Sequence, residues 1–167
     1  ATQNNNANQK TKVNYYIGIL KESIGEFKDS LKRFKYTADY YKKKAKEGSE
    51  KDKYYYLQSL FAVSNGYIRV EKYDSAYHYM KKGMLLSLKT KDSTFYGYFL
   101  LSFGIADYYT KKYQSGLDSI LKFKSLYKNR IKDGNIAVAD LYLGKIYFEK
   151  KDIEKSKMFL EKVDSIE

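Results

Sequence analysis

The chain of 167 residues contains no cysteine, no proline and no tryptophan, and it has one histidine. Without cysteine there can be no disulfide framework, thiol nucleophile, Cys-type zinc site or Fe–S cluster. The same absence fits any redox compartment. A lone histidine, His78, excludes sites that need two imidazoles. Without proline nothing interrupts a helix, and the abundance of Leu, Lys, Glu and Tyr favours long helices over a turn-rich β fold. No run of about 18 apolar residues occurs, so this segment inserts nothing into a membrane. Neither a start methionine nor a signal peptide is visible. Arginine is scarce, with only Arg33, Arg69 and Arg130, which weakens any reading based on forked phosphate or base contacts.

Enough apolar material remains for a core: 43% of residues are hydrophobic and 31% charged. Tyrosine, at 20 residues, and Lys+Arg, at 32 against 20 acids, are the excesses, and the net charge is +12. Residues 1–50 carry +5, 51–90 carry +4, 91–130 carry +4 and 131–167 carry −1. This gradient is diffuse, as expected of a lysine-rich solvated surface rather than a nucleic-acid groove. The opening Ala1–Asn8 is polar and Asn-rich, and residues 1–12 are expected to form a disordered tail.

The chain repeats itself every 40 residues. Ser64, Gly104 and Gly144 form one small-residue column, and Ala76, Gly116 and Ser156 a second. Val63, Phe103 and Leu143 form an apolar column beside the first; Met80, Ile120 and Leu160 follow the second. Each unit reads as two helices: Leu57, Leu60, Phe61, Ser64, Tyr67 and Ile68 recur at helical spacing, and Tyr73, Ala76, Met80, Gly83 and Met84 share one face of the next helix. Small residues at matched places let two helix backbones approach closely. Asp52, Asp92 and Asp133 are placed to cap the first helix of each unit. The three units span about 51–90, 91–131 and 132–167.

The pattern large–small–x–x–aromatic, then aromatic–x–x–small–x–x–x–large, resembles the tetratricopeptide repeat (TPR). It is carried by Leu143-Gly144, Tyr147, Ile153, Ser156, Leu160 and Val163, and by Val63-Ser64, Tyr67, Tyr73, Ala76, Met80 and Gly83. Residues 51–167 are covered. The resemblance implies an all-α, TPR-like α-solenoid of antiparallel helix pairs with repeats of about 40 residues, longer than the usual 34 or so. HEAT-like repeats share the longer period, with less regular small-residue columns. The middle unit departs at Asp107, where an aromatic is expected, and Tyr108 is a candidate to replace it.

Residues 13–47 form an N-terminal helical segment. Ile17, Leu20, Ile24, Phe27, Leu31, Phe34, Ala38, Tyr41 and Ala45 advance in steps of three and four. That is either a degenerate first helix pair broken near Gly25–Ser30, or one long helix of a coiled-coil dimer. The helix pair is favoured, because the flanking charges are lysine-heavy and lack opposite-sign partners.

No site of chemistry emerges. Glu149, Asp152 and Glu154 alternate with Lys150, Lys151 and Lys155 as a solvated turn does, His78 lies off the packing face, and the glycines form no phosphate loop. No catalytic residue, metal or cofactor is expected. By the TPR resemblance, a peptide or protein partner would lie in the concave groove on Asn65, Arg69, Tyr98, Ile105, Tyr108, Tyr109, Tyr142, Lys145 and Phe148. Aromatics among a few polar donors suit such capture. The family's carboxylate clamp would need basic and amide residues where Phe61, Asn65, Ser102, Val138 and Tyr142 stand; only Asn65 matches.

Residues 141–166 and the stretch Ala38–Lys46 are also similar to TPR sensor regions of bacterial regulators that end in an AraC-type helix-turn-helix. That resemblance implies a truncated sensor or interaction module on the extracytoplasmic side of a membrane-tethered regulator, with a cytoplasmic position as the alternative. DNA binding would then belong to a domain not present here, and homo-oligomerisation is open. The competing reading is a basic helical repeat protein that binds nucleic acid, prompted by the +12 charge.

Overall fold

In the computed structural model, which describes residues 2–46, 48–127 and 134–164, the periodic segments form eight α-helices, and no strand occurs among those residues. They are α1 (Thr2–Ser23), α2 (Phe27–Lys44), α3 (Glu50–Arg69), α4 (Tyr73–Lys89), α5 (Ser93–Tyr109), α6 (Tyr113–Leu126), α7 (Gly134–Glu149) and α8 (Ile153–Asp164). The chain divides into two compact units, residues 1–95 and 96–167. The first holds α1 to α4 and the opening turn of α5; the second holds the rest of α5 and α6 to α8.

The turns repeat as faithfully as the helices. Tyr67, Asp107 and Tyr147 each accept, through the backbone carbonyl, the amide five residues on, from Lys72, Lys112 and Asp152. The residue just before that donor takes a left-handed conformation, with φ of 59° at Glu71, 60° at Lys111 and 62° at Lys151. This is the Schellman closure, which satisfies the last carbonyls of a helix and reverses the chain within three residues. Lys91, at φ 55°, ends α4 the same way. Non-glycine residues in this conformation carry local strain, and here the two flanking helices hold them to it.

Capping is less uniform. Asp92 caps α5, its carboxylate accepting the Phe95 amide at 2.9 Å. Helix α3 starts a turn earlier than that register requires. Its cap is Ser49, and Asp52 sits three residues on, returning a carboxylate to the Ser49 amide at 3.2 Å in a capping box. Asp133 lies outside the described residues.

The small-residue columns mark the closest helix crossings. A methyl group on Gly104 would meet the Ile120 side chain and come 3.0 Å from the Gly116 carbonyl oxygen. One on Gly144 would lie 2.7 Å from Leu160 Cδ2. Ser156 donates its hydroxyl to the Gly144 carbonyl at 2.9 Å, so the third crossing is hydrogen-bonded as well as tight. Ser64, Ala76, Met80, Ile120 and Leu143 are fully buried. Beside each crossing the outer units stack two aromatic rings: Tyr67 on Tyr79 at 5.4 Å, and Tyr147 on Phe159 at 5.6 Å and 2°. The middle unit has Asp107 and Ser119 at these positions. Contrary to expectation, Tyr108 does not replace the missing ring. Asp107 itself is buried and accepts the Ser115 hydroxyl at 2.6 Å, which satisfies its carboxylate inside the fold.

At the N-terminus, α1 takes up most of the 1–12 stretch that composition assigned to a disordered tail. Tertiary contacts outweigh its weak apolar content. The Tyr41 hydroxyl donates to Asn8 Oδ1 at 2.8 Å, Thr11 is fully buried, and Lys12 lies 5.1 Å above the Tyr55 ring. The heptad-like segment is two helices, α1 and α2, parted by a turn in which Gly25 has φ 81°. Leu31, Phe34, Ala38 and Tyr41 bury the second half of the seam.

The tyrosines of the first unit make it sensitive to base. Burial pushes the phenols of Tyr15, Tyr41 and Tyr56 up to about 12 from 10, with smaller contributions from Glu22, Tyr55 and Asp39 respectively. The unfolded chain releases these protons nearer 10, so their contribution to stability is whole below about pH 10 and is lost between about pH 10 and 12. Far-UV circular dichroism across an alkaline titration should show helix loss in that window. Tyr56→Phe should move the loss to higher pH; an unmoved transition would remove this phenol from the account.

Candidate functional site

Of the nine residues expected to line a groove, Asn65 and Arg69 fall in the first unit and the other seven in the second. Asn65 is half-buried on α3. Arg69, at the exposed end of α3, extends its Nε to 3.7 Å from Glu22 Oε1 on α1. Next to it a shallow pocket opens between the α1–α2 turn and the end of α3, lined by Phe27, Asp29, Arg69 and Val70 among others.

In the second unit four expected residues converge. Tyr109 and Tyr142 share a hydrogen bond between their hydroxyls at 3.0 Å. The Tyr108 ring stands edge-on to both, with centroids 5.2 Å from Tyr109 and 5.5 Å from Tyr142. Lys145 Nζ lies 5.0 Å from the centre of the Tyr142 ring and 6.0 Å from that of Tyr108. Edge-to-face rings and a cation over a π face are each favourable by about 1 kcal/mol, so the arrangement holds itself in place. Helices α5 and α7 build it. Tyr108 and Tyr109 end α5, while Tyr142 and Lys145 sit three apart on α7 and so share a face.

The periphery adds two residues that the sequence reading missed. Tyr113 lies 6.3 Å from Tyr108 and donates its hydroxyl to Glu149 Oε2 at 3.4 Å. Partial burial first, and then the Glu149 carboxylate, hold the Tyr108 phenol above its ordinary pKa; the same two causes act on Tyr113. Both phenols therefore stay protonated at neutral pH and remain hydrogen-bond donors. The charge alternation around Glu149 suits a solvated turn, and nothing in its sequence neighbourhood points 36 residues back to Tyr113. Phe148, next to Glu149, is 62% exposed. Ile105 is half-buried on α5.

Tyr98 does not join this cluster. It stacks on Tyr127 at 6.0 Å and 17°, and Tyr127 in turn packs 4.7 Å from Phe123. Ten residues of helix, about 15 Å, part Tyr98 from Tyr108. Tyr98 thus rests on the end of α6, where Gly97 makes room for Tyr127. His78 is exposed and meets the Tyr79 ring edge-on at 5.4 Å. Among the described residues, no group of three or more His, Cys, Asp or Glu side chains is placed to hold a metal ion, and no helix is long and apolar enough to cross a membrane.

No protein-family model matches the chain, and no curated protein matches it. Solved structures do match. A Podospora anserina putative kinesin light chain with nearly identical TPR-like repeats superposes with a TM-score of 0.71 at 10% identity, covering 94% of this chain and 74% of its own. A point variant of it gives the same values. The fold is TPR-like. BtubC (BKLC) from P. vanneervenii superposes with a TM-score of 0.68 at 13% identity, covering 87% of this chain. The chain spans 57% of the length of BtubC. At these identities the likeness carries the TPR-like fold, all-α helix pairs repeating about every 40 residues, and no function.

Proposed function

We propose that this TPR-like chain is a non-catalytic scaffold that captures a protein or peptide partner on the α5–α7 face of its second unit. The observation that carries this is the cluster of Tyr108, Tyr109, Tyr142 and Lys145. Tyr109 is exposed there and Tyr108 and Lys145 are half-buried, while Tyr142 is buried and fixes Tyr109 through their hydroxyl pair; exposed Phe148 lies nearby on α7. Rings already fixed by their neighbours lose little entropy on binding, so a partner gains contact area at small ordering cost.

Peptides selected from a random library on the wild-type chain test this reading. Tyr109→Ala with Phe148→Ala should weaken the selected peptides at least about tenfold, a typical loss when interface aromatics are truncated. Tyr36→Ala, on the exposed side of α2, should leave them unchanged. Binding that survives the double substitution removes the α5–α7 assignment.

The narrower role, sensor or interaction region of a bacterial transcription regulator, is proposed on the sequence resemblance of residues 38–46 and 141–166 alone. A coding sequence beyond Glu167 that specifies a membrane span and a helix-turn-helix would support it. The runner-up, a basic repeat protein that binds nucleic acid, is favoured by the +12 charge. It requires oligonucleotide affinity that falls steeply with salt.

A further inference from the structure

We infer that the first unit docks on an anionic lipid surface through the lysine-rich end formed by the tips of α2, α3 and α4. The net charge of +12 reads as diffuse along the sequence, but the helix pairs gather part of it in one place. Lys42 and Lys43 end α2 and Lys46 follows; Lys51 opens α3; Lys89 ends α4 and Lys91 follows. All six are exposed. Antiparallel packing brings these tips together. The Tyr41 ring, near the end of α2, lies 5.1 Å from that of Tyr55, near the start of α3. Lys51, Thr90 and Asp92 line one small pocket, which joins the start of α3 to the α4–α5 turn.

None of the six has an ion-pair partner among the described residues. The acids beside them are already engaged: Glu50 pairs with Lys53 at 2.6 Å, Asp52 closes the Ser49 capping box, and Asp92 caps α5. The opposite end of the same unit is balanced, for there Lys21 meets Glu26, Arg33 meets Asp29 and Arg69 meets Glu22. Helix dipoles favour cations at the ends of α2 and α4, yet they disfavour Lys51 in the first turn of α3. Local helix electrostatics therefore does not account for the cluster. Its chemistry fits a layer of headgroups. All six cations are lysines, flexible point charges that follow a diffuse field, whereas forked readout of a phosphate chain relies on arginine. Neighbouring tips stand about 10 Å apart, so the ammoniums form a patch rather than a row, and a plane of anionic headgroups reaches all of them at once. A nucleic-acid strand passes over only part of such a patch. The contact is electrostatic and peripheral. This surface lies in the first unit and the tyrosine cluster in the second, and neither reading depends on the other.

Vesicle co-sedimentation of the full chain tests this. The wild type should bind phosphatidylcholine vesicles that carry phosphatidylserine, ignore pure phosphatidylcholine, and come off as salt is raised. Each lysine near an anionic surface contributes about a factor of five. Lys42→Gln, Lys43→Gln and Lys46→Gln together should therefore weaken binding about a hundredfold, with unchanged far-UV circular dichroism. Lys89→Gln with Lys91→Gln should weaken it about twenty-five-fold, so the result does not hang on one helix end. The same change at Lys150, Lys151 and Lys157, all exposed in the second unit, should leave binding within about threefold. Failure to bind the phosphatidylserine vesicles, equal binding to both kinds of vesicle, or equal losses from the two triple variants would each overturn the proposal. So would a wild type that ignores the vesicles and holds a single-stranded oligonucleotide through Lys42, Lys43 and Lys46, which would assign the patch to nucleic acid.

Discussion

Phe34→Ala is expected to lower the stability of the first unit by about 3–5 kcal/mol, as large-to-small changes of buried aromatics do. The Phe34 ring is 1% exposed and spans the gap between α2 and α1. On the α1 side it rests on bare backbone: a methyl group at Gly18 would lie 2.7 Å from Phe34 Cε1. Tyr15 closes the same gap, its centroid 5.4 Å from that of Phe34. Alanine at 34 would leave a hole that Gly18, the residue facing it on α1, has no side chain to fill. Collapse is limited, so both the lost transfer energy and the cavity are felt. The reciprocal change sharpens the test. Gly18→Leu alone should destabilise by about 1–3 kcal/mol through overpacking, whereas Gly18→Leu in the Phe34→Ala background should restore part of the loss. Urea unfolding followed by far-UV circular dichroism measures all three. Additive effects would mean that α1 does not pack against Phe34 in solution.

Lys124→Ala is expected to cost about 3 kcal/mol, by stranding a buried carboxylate. Asp140, on α7, has a side chain only 5% exposed, and it pairs with Lys124 from α6, whose side chain is 24% exposed. The Lys124 ammonium also lies 5.3 Å from the centre of the Phe159 ring, so one side chain ties α6, α7 and α8 together. Removing the cation leaves the anion without its partner in a place where water reaches poorly. Removing both charges behaves differently: Lys124→Met with Asp140→Leu keeps the volume and abolishes the desolvation, and should be neutral or stabilising. Thermal melts of the single and double variants separate these outcomes. A Lys124→Ala variant that melts with the wild type would show that Asp140 finds water or another donor.

The pair also shows how far the repeat columns reach. Leu60, Leu100 and Asp140 occupy one column at 40-residue spacing. A carboxylate in an apolar column is visible without coordinates, and it announces that some partner must be near. The partner itself, 16 residues away on the preceding helix, does not follow from the column. Asp107 is similar. Its place in an aromatic column was visible, but Tyr108 beside it was the wrong substitute. Asp107 stays in the column because Ser115 satisfies it there, and Tyr108 is then left to meet Tyr109 and Tyr142.

Helix pairs, their period of 40 and their tight crossings at Gly104 and Gly144 were determined by the sequence alone. Small residues recurring at a fixed spacing allow backbones to touch at only one kind of place, and the absence of proline leaves the helices between them whole. The groove residues were legible as a face, not as a site. Tyr98 and Tyr108 share that face, yet one stacks on Tyr127 and the other joins Tyr142. Periodicity states which residues share a side of a helix, but not what stands opposite. The same limit governs α1, where steps of three and four ran unbroken through Leu20, Ile24 and Leu31. Tertiary structure alone decided that Leu31 faces inward and Leu20 outward, because the turn at Gly25 reverses the chain and lets the second helix supply the core while the first shows its apolar stripe to solvent.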